Sequence, residues 1–531
     1  MATATTSYDA LNLPPALIDA ATPAADWVVV WPVALALTGA GLLVMLRNYR
    51  HMQLAFAVAV ITAILLSNLY LLARVIESGP LAMTMGRWLP PFGITFAADM
   101  TSAIFSLAAS IAALVVAFYA QTELTDREHK FGFYPMLLLL LCGVSGSFLT
   151  GDIFNLYVWF EVMLIASFGM LILGGRKLQL DGAIKYGFLN FLATTLFLIT
   201  VAYLYGLTGT LNFADLVDKG ADIPTGPLIT VSLLFLLAFG VKAAAFPGNA
   251  WLPASYHTPA VSVSAIFGGL LTKVGAYAVI RVLTMALPEG GAQLQPVIVL
   301  IAIGSLILGP LGAMAQTNLR RAIGFLVIGG IGAIFAGFAL ASHHGIGGAI
   351  FYAFHSMLAI TAFYLLAGLI ERSTGTTDTR KMGGLYAANA PLSILFLIMI
   401  FLISGLPPFL GLWPKILLVE GGVRAENWWL VAAILINSFL TLIAASRLWA
   451  HIFWRNGVEG ERSEQAPVGL QKLDRTENWF GFLPTMILMA IILVFGLFPN
   501  WLFEASGIAA RDMLLPDRYV DAVFAHAEDR Q

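Results

Sequence analysis

The sequence predicts an all-α polytopic membrane protein with about 14 transmembrane helices. Of its 531 residues, 59% are hydrophobic and 11% are charged, whereas an ordinary soluble domain has roughly 25% charged residues. A bilayer core of about 30 Å requires roughly 20 mostly apolar residues per helix, and such runs follow one another through nearly the whole chain. Because these runs have no polar face, they exclude a large soluble helical protein.

The apolar runs are the predicted spans, and residues 1–26 precede them. This first segment contains no Lys or Arg and no apolar core, so it does not resemble a cleaved signal peptide. The first span is therefore expected to direct insertion into the bilayer. The approximate bounds of the fourteen spans are 27–46, 54–75, 95–120, 133–150, 153–175, 185–207, 226–246, 260–285, 296–316, 320–341, 346–370, 391–422, 428–453 and 479–502.

The loops between the spans carry unequal positive charge. With the N-terminus outside, 15 Lys and Arg residues fall in cytoplasmic loops and 8, Arg281 among them, in outer loops. Since cytoplasmic loops are enriched in Lys and Arg, both termini are expected to lie outside the cytoplasm. The net charge is -2 and no basic block stands out, so a nucleic-acid partner is not expected.

Two spans, the seventh and the twelfth, are interrupted by turn residues. They contain Lys242-Ala-Ala-Ala-Phe-Pro-Gly-Asn-Ala-Trp-Leu-Pro253 and Ser404-Gly-Leu-Pro-Pro-Phe-Leu-Gly-Leu-Trp-Pro-Lys415. Proline opens a helix and frees backbone groups, which survive at membrane depth only where protein or water satisfies them. Broken helices five spans apart are typical of a transporter built from two repeats, and an odd number inverts the second copy. Two unrelated proline kinks are the alternative.

Four charged side chains lie in or beside the apolar runs: Glu161, Lys242, Lys273 and Lys415. A charge at the centre of a membrane helix costs about 2.5–3.5 kcal/mol on insertion scales, so each one requires a partner or a function. One carboxylate cannot neutralise three lysines, and desolvation brings a lysine toward the range in which it exchanges protons. With His355, which titrates near neutral pH, these residues predict a proton relay. The alternative is a static ion pair, with the remaining lysines extended to the interface.

Other candidate sites are weaker. Lys185 can pair with Asp181 one turn earlier or feed the relay, and His257 is either a proton-uptake group or a cap on a turn. The single cysteine, Cys142, excludes a disulfide or a cysteine-based metal site. No phosphate-binding loop and no hydrolase serine motif occurs. We expect neither a metal nor a cofactor, and a transporter subunit rather than an enzyme.

Several motifs resemble a known family, the antiporter-like membrane subunits shared by Mrp-type multisubunit Na⁺/H⁺ antiporters and respiratory complex I. The resemblance covers about residues 95–450, and the wording around Glu161 and in Leu270-Leu-Thr-Lys-Val-Gly-Ala-Tyr277 is most similar to the D-type branch of the Mrp members. The other motifs are Gly151-Asp-Ile-Phe-Asn-Leu-Tyr-Val-Trp-Phe-Glu161, Lys242 with Pro247 and Trp251-Leu-Pro253, His257-Thr-Pro-Ala-Val-Ser-Val-Ser-Ala265, and Gly405-Leu-Pro-Pro408 with Lys415.

The resemblance implies two inverted five-helix repeats with helices 7 and 12 broken. It also implies roles for the buried charges: Glu161 and Lys242 match the gating ion pair, Lys273 the central relay lysine and Lys415 the exit lysine, with Asp152 as a further candidate. The expected segments are 1–26 (extracytoplasmic), 27–120 (helices 1–3), 121–285 (first repeat, helices 4–8), 286–455 (second repeat, helices 9–13), 456–478 (cytoplasmic loop), 479–502 (helix 14) and 503–531 (C-terminal tail).

The function implied by the resemblance is that of a proton-translocating subunit of a cation (Na⁺)/proton antiporter in the bacterial plasma membrane. Its expected partners are antiporter subunits of the A, B, C, E, F and G types. Carboxylates suited to a hard cation are scarce in the spans, so we expect protons to cross here and Na⁺ elsewhere in the complex. The alternatives are a proton-pumping subunit of a complex I-like NADH:quinone oxidoreductase or membrane-bound hydrogenase, and a scaffold with vestigial charges.

One position departs from the family pattern. Many complex I-type members have a lysine four or five residues after the histidine of the eleventh span. Here Ala359 and Ile360 occupy those positions. A proton that crosses this stretch must therefore be carried by His355 and water.

Overall fold

The computed structural model describes residues 23–455 and 470–528. Residues 1–22 of the predicted N-terminal segment, 456–469 of the predicted cytoplasmic loop and the last three residues lie outside the described part of the chain. The helices that occupy the predicted spans are α1 (Trp31–Met45), α2 (Arg50–Ser78), α3 (Met100–Tyr119), α4 (Phe133–Leu149), α5 (Ile153–Ile172), α6 (Lys177–Thr208), α7 (Thr225–Ala243 and Trp251–Ser255), α8 (Val261–Ala286), α9 (Gln295–Met314), α10 (Leu319–Leu340), α11 (His343–Thr374), α12 (Ala390–Ser404 and Leu412–Arg424), α13 (Trp428–Trp449) and α14 (Glu477–Leu497).

Shorter elements connect these helices. Two strands, β1 (Leu81–Thr84) and β2 (Thr95–Ala98), pair antiparallel with Leu81 opposite Ala98. The short α-helices are Asp126–Lys130, Phe213–Lys219, Pro288–Gln293 and Leu385–Ala388, and the chain ends in Asn500–Leu514 and Asp517–Glu528. Single 3₁₀ turns lie at Asp26–Val29, Met85–Arg87, Ala120–Thr122 and Thr379–Lys381.

Every predicted span contains a helix, which confirms the all-α polytopic fold. Within residues 23–455 and 470–528, eleven helices are long and apolar enough to cross a membrane. The helices of the first, fourth and twelfth spans are shorter, with 15, 17 and 15 residues before the chain turns. The exact count of fourteen crossings stays a prediction.

The two groups α4–α8 and α9–α13 repeat the same order of helices. In each group the third helix is unusually long, because Lys177–Thr208 and His343–Thr374 both have 32 residues. In each group the fourth helix is broken and the fifth is continuous. The repeat predicted from two proline-rich breaks is therefore visible in the helix lengths as well.

Burial separates central helices from peripheral ones. The most apolar stretches of α8 and α11 are completely buried within the protein, whereas little more than a third of those of α2, α6 and α9 is buried. A peripheral helix can turn an apolar face to lipid, but a central helix meets only protein. Polar side chains on α8 and α11 therefore depend on protein groups, in their own helix or in its neighbours, for hydrogen bonds.

Helix α8 is not a regular α-helix. It contains π-helical stretches at Phe267–Leu271 and Arg281–Ala286, on either side of the α-helical stretch Thr272–Ile280. A π-helix widens the turn and leaves backbone carbonyl groups that the regular pattern would pair. Such irregular backbone is tolerated at membrane depth because it is buried in protein.

Candidate functional site

The break in α7 places Lys242 at the end of a helix. The first half of α7 ends at Ala243, and Ala244 adopts a left-handed backbone with φ 57°. Side chains satisfy part of the opened backbone: Phe246 N donates to Ser305 Oγ at 2.9 Å, and Trp251 Nε1 donates to Val241 O at 2.9 Å. Lys242 therefore lies in the last helical turn, where the helix dipole favours a cation.

Lys242 and Glu161 interact without a close ion pair. Lys242 is buried, and its Nζ lies 5.6 Å from the ring centroid of Phe160, within cation–π range. Glu161 follows Phe160 on α5, is half-buried and acts electrostatically on Lys242. Among the described residues, no oxygen of Glu161 lies within 4.0 Å of the Lys242 ammonium. The two charges are therefore separated and do not form a direct ion pair.

Lys273 is held by the irregular backbone of α8. Its side chain is 0% exposed, and Nζ donates to Gly268 O at 2.6 Å. Gly268 lies in the first π-helical stretch. A side chain at the neighbouring Gly269 would collide with Thr361 Oγ1 on α11, so glycine allows α11 to approach closely. The carbonyl group, rather than a carboxylate, stabilises this ammonium.

His355 lies on α11 between two lysines. It is buried and within electrostatic reach of both Lys273 and Lys415. Its Nε2 faces the break in α12, because a Cβ built at Gly411 would lie 3.2 Å from that atom. Its Nδ1 is buried without a hydrogen-bond partner in the described part of the chain. The imidazole is therefore placed centrally and is only partly satisfied.

Lys415 is bound to the end of the first half of α12. Its Nζ donates to Ser404 O at 2.8 Å, to Ser438 Oγ at 2.9 Å and to Ile403 O at 3.4 Å. These carbonyl groups form the negative end of the helix dipole. Lys242 also lies at the carbonyl end of a first half-helix, although the two lysines precede and follow their breaks, respectively.

The helices that carry these residues are packed in succession. The rings of Phe160 on α5 and Phe239 on α7 stack with centroids 6.0 Å apart, α7 packs against α8, α8 against α11, and α11 against α12. The side chains consequently follow one another through the interior. Neither Lys273 nor Lys415 extends to the interface or lies within 4.0 Å of a described carboxylate, in contrast to the static alternative.

The three auxiliary candidates have local partners. Lys185 pairs with Asp181 at 2.5 Å on an exposed face of α6, with both side chains about half exposed. His257 Nδ1 lies 2.9 Å from Pro253 O, and burial lowers the pKa of His257 to about 4. Asp152 caps α5 by accepting from Asn155 N at 2.7 Å, and burial raises the pKa of Asp152 to about 6.

One buried ion pair was not predicted from the sequence. Arg281 Nη1 donates to Asp99 Oδ2 at 2.6 Å, with the side chains 1% and 0% exposed. Ser102 Oγ and Tyr277 OH accept from the same guanidinium at 3.2 and 3.1 Å. Counting Arg281 among the outer-loop charges was wrong, because it lies inside α8. The number 281 falls inside the predicted span 260–285, which could have revealed this.

A second group of unpredicted residues lines a polar cavity of about 230 Å³ near the start of α8. Glu123 accepts from Val261 N and Ser262 N at 2.8 and 2.6 Å, which suits the positive end of a helix. Arg320 donates to Glu371 at 2.8 Å and to Pro259 O at 2.6 Å. Across residues 23–455 and 470–528, no group of three or more His, Cys, Asp or Glu side chains could hold a metal ion.

The chain is similar over most of its length to known membrane proteins. The family model described as "NADH:quinone oxidoreductase/Mrp antiporter, TM" matches residues 150–441. The chain is 35% identical over 498 residues to the D-type subunit of the Na⁺/H⁺ antiporter of Alkalihalophilus pseudofirmus, and the match covers 94% of this chain and 99% of that relative.

Solved structures show the same fold. A chain in the structure of the Mrp complex from Dietzia sp. has a TM-score of 0.86 and 27% identity, over 95% of this chain and 100% of that one. A chain of respiratory complex I from Thermus thermophilus has a TM-score of 0.77 and 23% identity, over 92% of this chain and 99% of that one. The second likeness concerns the fold alone.

Proposed function

This chain belongs to the NADH:quinone oxidoreductase/Mrp antiporter family of membrane subunits, and on that premise we propose that it translocates protons within a multisubunit cation (Na⁺)/proton antiporter. It is a transporter subunit rather than an enzyme. The observation that carries the proposal is the succession of buried titratable side chains on helices that pack against one another. The likeness to the D-type subunit of an antiporter, at 35% identity, favours this role over a complex I-like one.

The proposed relay runs from Lys242 through Lys273 and His355 to Lys415. When Glu161 pairs with Lys242, its carboxylate stabilises the ammonium and the proton is held. When the pair opens, the buried ammonium loses that stabilisation and releases its proton toward Lys273. Backbone carbonyl groups at Gly268 and Ser404 stabilise the charge at the next two lysines.

The partners proposed for this chain are the other subunits of an Mrp-type antiporter, of the A, B, C, E, F and G types. This chain is similar over 95% of its own length to a chain of an Mrp complex, and that similarity supports this assembly. Mid-membrane carboxylates are scarce in the relay, where Glu161 accompanies three lysines. Because lysines repel a cation, we assign protons to this chain and Na⁺ to a different one.

The gate is tested by Glu161→Gln and Lys242→Met in the assembled complex. Each variant should lower Na⁺-dependent proton flux in everted membrane vesicles by at least about tenfold, because it removes a charge that decides proton affinity. Lys219→Gln is the control, since Lys219 is an exposed lysine paired with Asp215. Unchanged flux in both gate variants, at normal complex levels, would refute the proposed function.

The proposed location is the bacterial plasma membrane with both termini outside the cytoplasm. Removing Arg281 from the outer loops leaves 15 Lys and Arg residues inside and 7 outside, which strengthens the positive-inside bias. Alkaline phosphatase fused to the C-terminus should be active and a green fluorescent protein fused there should be dark. Fusions after Lys177 should give the opposite pattern. A fluorescent C-terminal fusion would show that the C-terminus lies in the cytoplasm and would contradict the proposed orientation.

A further inference from the structure

A small cavity lies beside His355, at the place where the family pattern often has a lysine. Its volume is about 20 Å³, which exceeds the about 10–15 Å³ that one water molecule needs. Ala359 and Ile360 form part of its wall. The short side chain of Ala359 leaves room there that a longer side chain would fill.

The wall of the cavity presents several polar groups. Tyr352 and Ser356 contribute hydroxyl groups from α11, and a Cβ built at Gly330 would lie 3.3 Å from Tyr352 OH and 3.7 Å from Ser356 Oγ. Asn437 and Thr441 contribute from α13. Because Asn437 Nδ2 donates to Leu306 O at 2.7 Å, its amide oxygen is the atom left to accept. A buried water typically makes two to four hydrogen bonds, and this wall can supply them.

The cavity adjoins both His355 and the binding shell of Lys415. Within the described residues, His355 Nδ1 is buried and has no hydrogen-bond partner, and a buried polar atom without a partner is destabilising. Ile403 borders the cavity and also provides a carbonyl oxygen 3.4 Å from Lys415 Nζ. Ser438, which follows Asn437 in the chain, accepts from the same ammonium.

We propose that this cavity holds one ordered water that carries the proton between His355 and Lys415, with Asn437 and Thr441 as positioning residues. The inference rests on the proposed function. The water accepts a proton from the His355 imidazolium and gives one of its own protons to the neutral Lys415 amine, so it is neutral before and after the transfer. The water beside Ala359 therefore occupies the place of the lysine that many complex I-type members have there.

Two substitutions at one position test the water. Ala359→Met fills the cavity with an unbranched apolar chain and should lower Na⁺-dependent proton flux at least about tenfold. Ala359→Lys fills it with a chain of similar length that ends in an amine, and should keep flux within about threefold of the parent protein. Flux is measured in everted vesicles and divided by the amount of assembled complex.

Thr441 tests the positioning role without a change in volume. Thr441→Val removes the hydroxyl group and should slow proton flux severalfold, whereas Thr441→Ser should restore it. The double variant Ala359→Lys/Thr441→Val should remain active, because the lysine bypasses the water; a merely structural role of Thr441 would not allow this rescue. The matched control is Thr195→Val, at an exposed threonine on α6.

The outcomes separate the two proposals. Normal flux in Ala359→Met, or equal loss in the Met and Lys variants at normal complex levels, would overturn the water site. If Ala359→Met does not assemble, the Thr441 variants decide, and normal flux in Thr441→Val overturns it. If Lys242→Met is inactive while Ala359→Met is active, the water-site proposal is refuted and the proposed function is supported. If Lys242→Met and Glu161→Gln are both fully active, the proposed function is refuted.

Discussion

Lys273→Met is expected to abolish Na⁺-dependent proton flux while the protein still assembles into its complex. Lys273 is completely buried on the central helix α8, and its ammonium is bound by Gly268 O rather than by a carboxylate. Methionine fills nearly the same space with an apolar chain but cannot accept or release a proton. The loss should be at least about 100-fold, the range for removing an essential proton-transfer group.

Lys273→Arg separates proton exchange from static charge. Arginine keeps the positive charge but does not release its proton in proteins, so a relay should fail with arginine as it does with methionine. A static charge network predicts that Lys273→Arg is active. Flux in everted vesicles, normalised to assembled complex, decides between them, with the exposed Lys472→Met as the control. Activity near that of the parent protein in Lys273→Arg would contradict the relay.

Breaking the buried Asp99–Arg281 pair is expected to destabilise the protein by about 3–5 kcal/mol. The Arg281 guanidinium donates to the Asp99 carboxylate at 2.6 Å, and both side chains are buried. Asp99→Asn leaves Arg281 as an uncompensated buried charge. We expect a marked fall in the yield and melting temperature of the solubilised complex.

The double variant Asp99→Asn/Arg281→Met provides the control for this prediction. With both charges removed, no unpaired charge stays buried, and much of the lost stability should return. A double variant less stable than either single variant would show that the pair does not act as a unit.

Much of the fold followed from local chemistry. Each apolar run in the sequence contains a helix, because a backbone in lipid must satisfy its own hydrogen bonds. The two proline-rich segments end helices at Ala243 and Ser404, four residues before Pro247 and Pro408, because a proline ring clashes with the carbonyl group four positions earlier. The short helices of the first, fourth and twelfth spans and the π-helical stretches of α8 could not be predicted, because they depend on how neighbouring helices pack.

The candidate site was predictable in its members but not in its contacts. A charge in an apolar run is conspicuous in a sequence, so Glu161, Lys242, Lys273 and Lys415 could be named without a structure. Their partners could not, because carbonyl groups stabilise Lys273 and Lys415 and no sequence pattern marks a carbonyl group as available. The partner of Arg281 could not be named either, since Asp99 lies 182 residues away in the chain.

The sequence by itself determined the membrane class, the two broken helices and the titratable groups of the proposed relay, because each is a local conflict between a residue and the bilayer. Only the tertiary structure decided the contacts: the separation of Glu161 from Lys242, the carbonyl groups that bind Lys273 and Lys415, and the cavity beside His355. The physical reason is that hydrogen bonds and ion pairs act over about 3–4 Å, and helices far apart in the chain must pack before those distances exist.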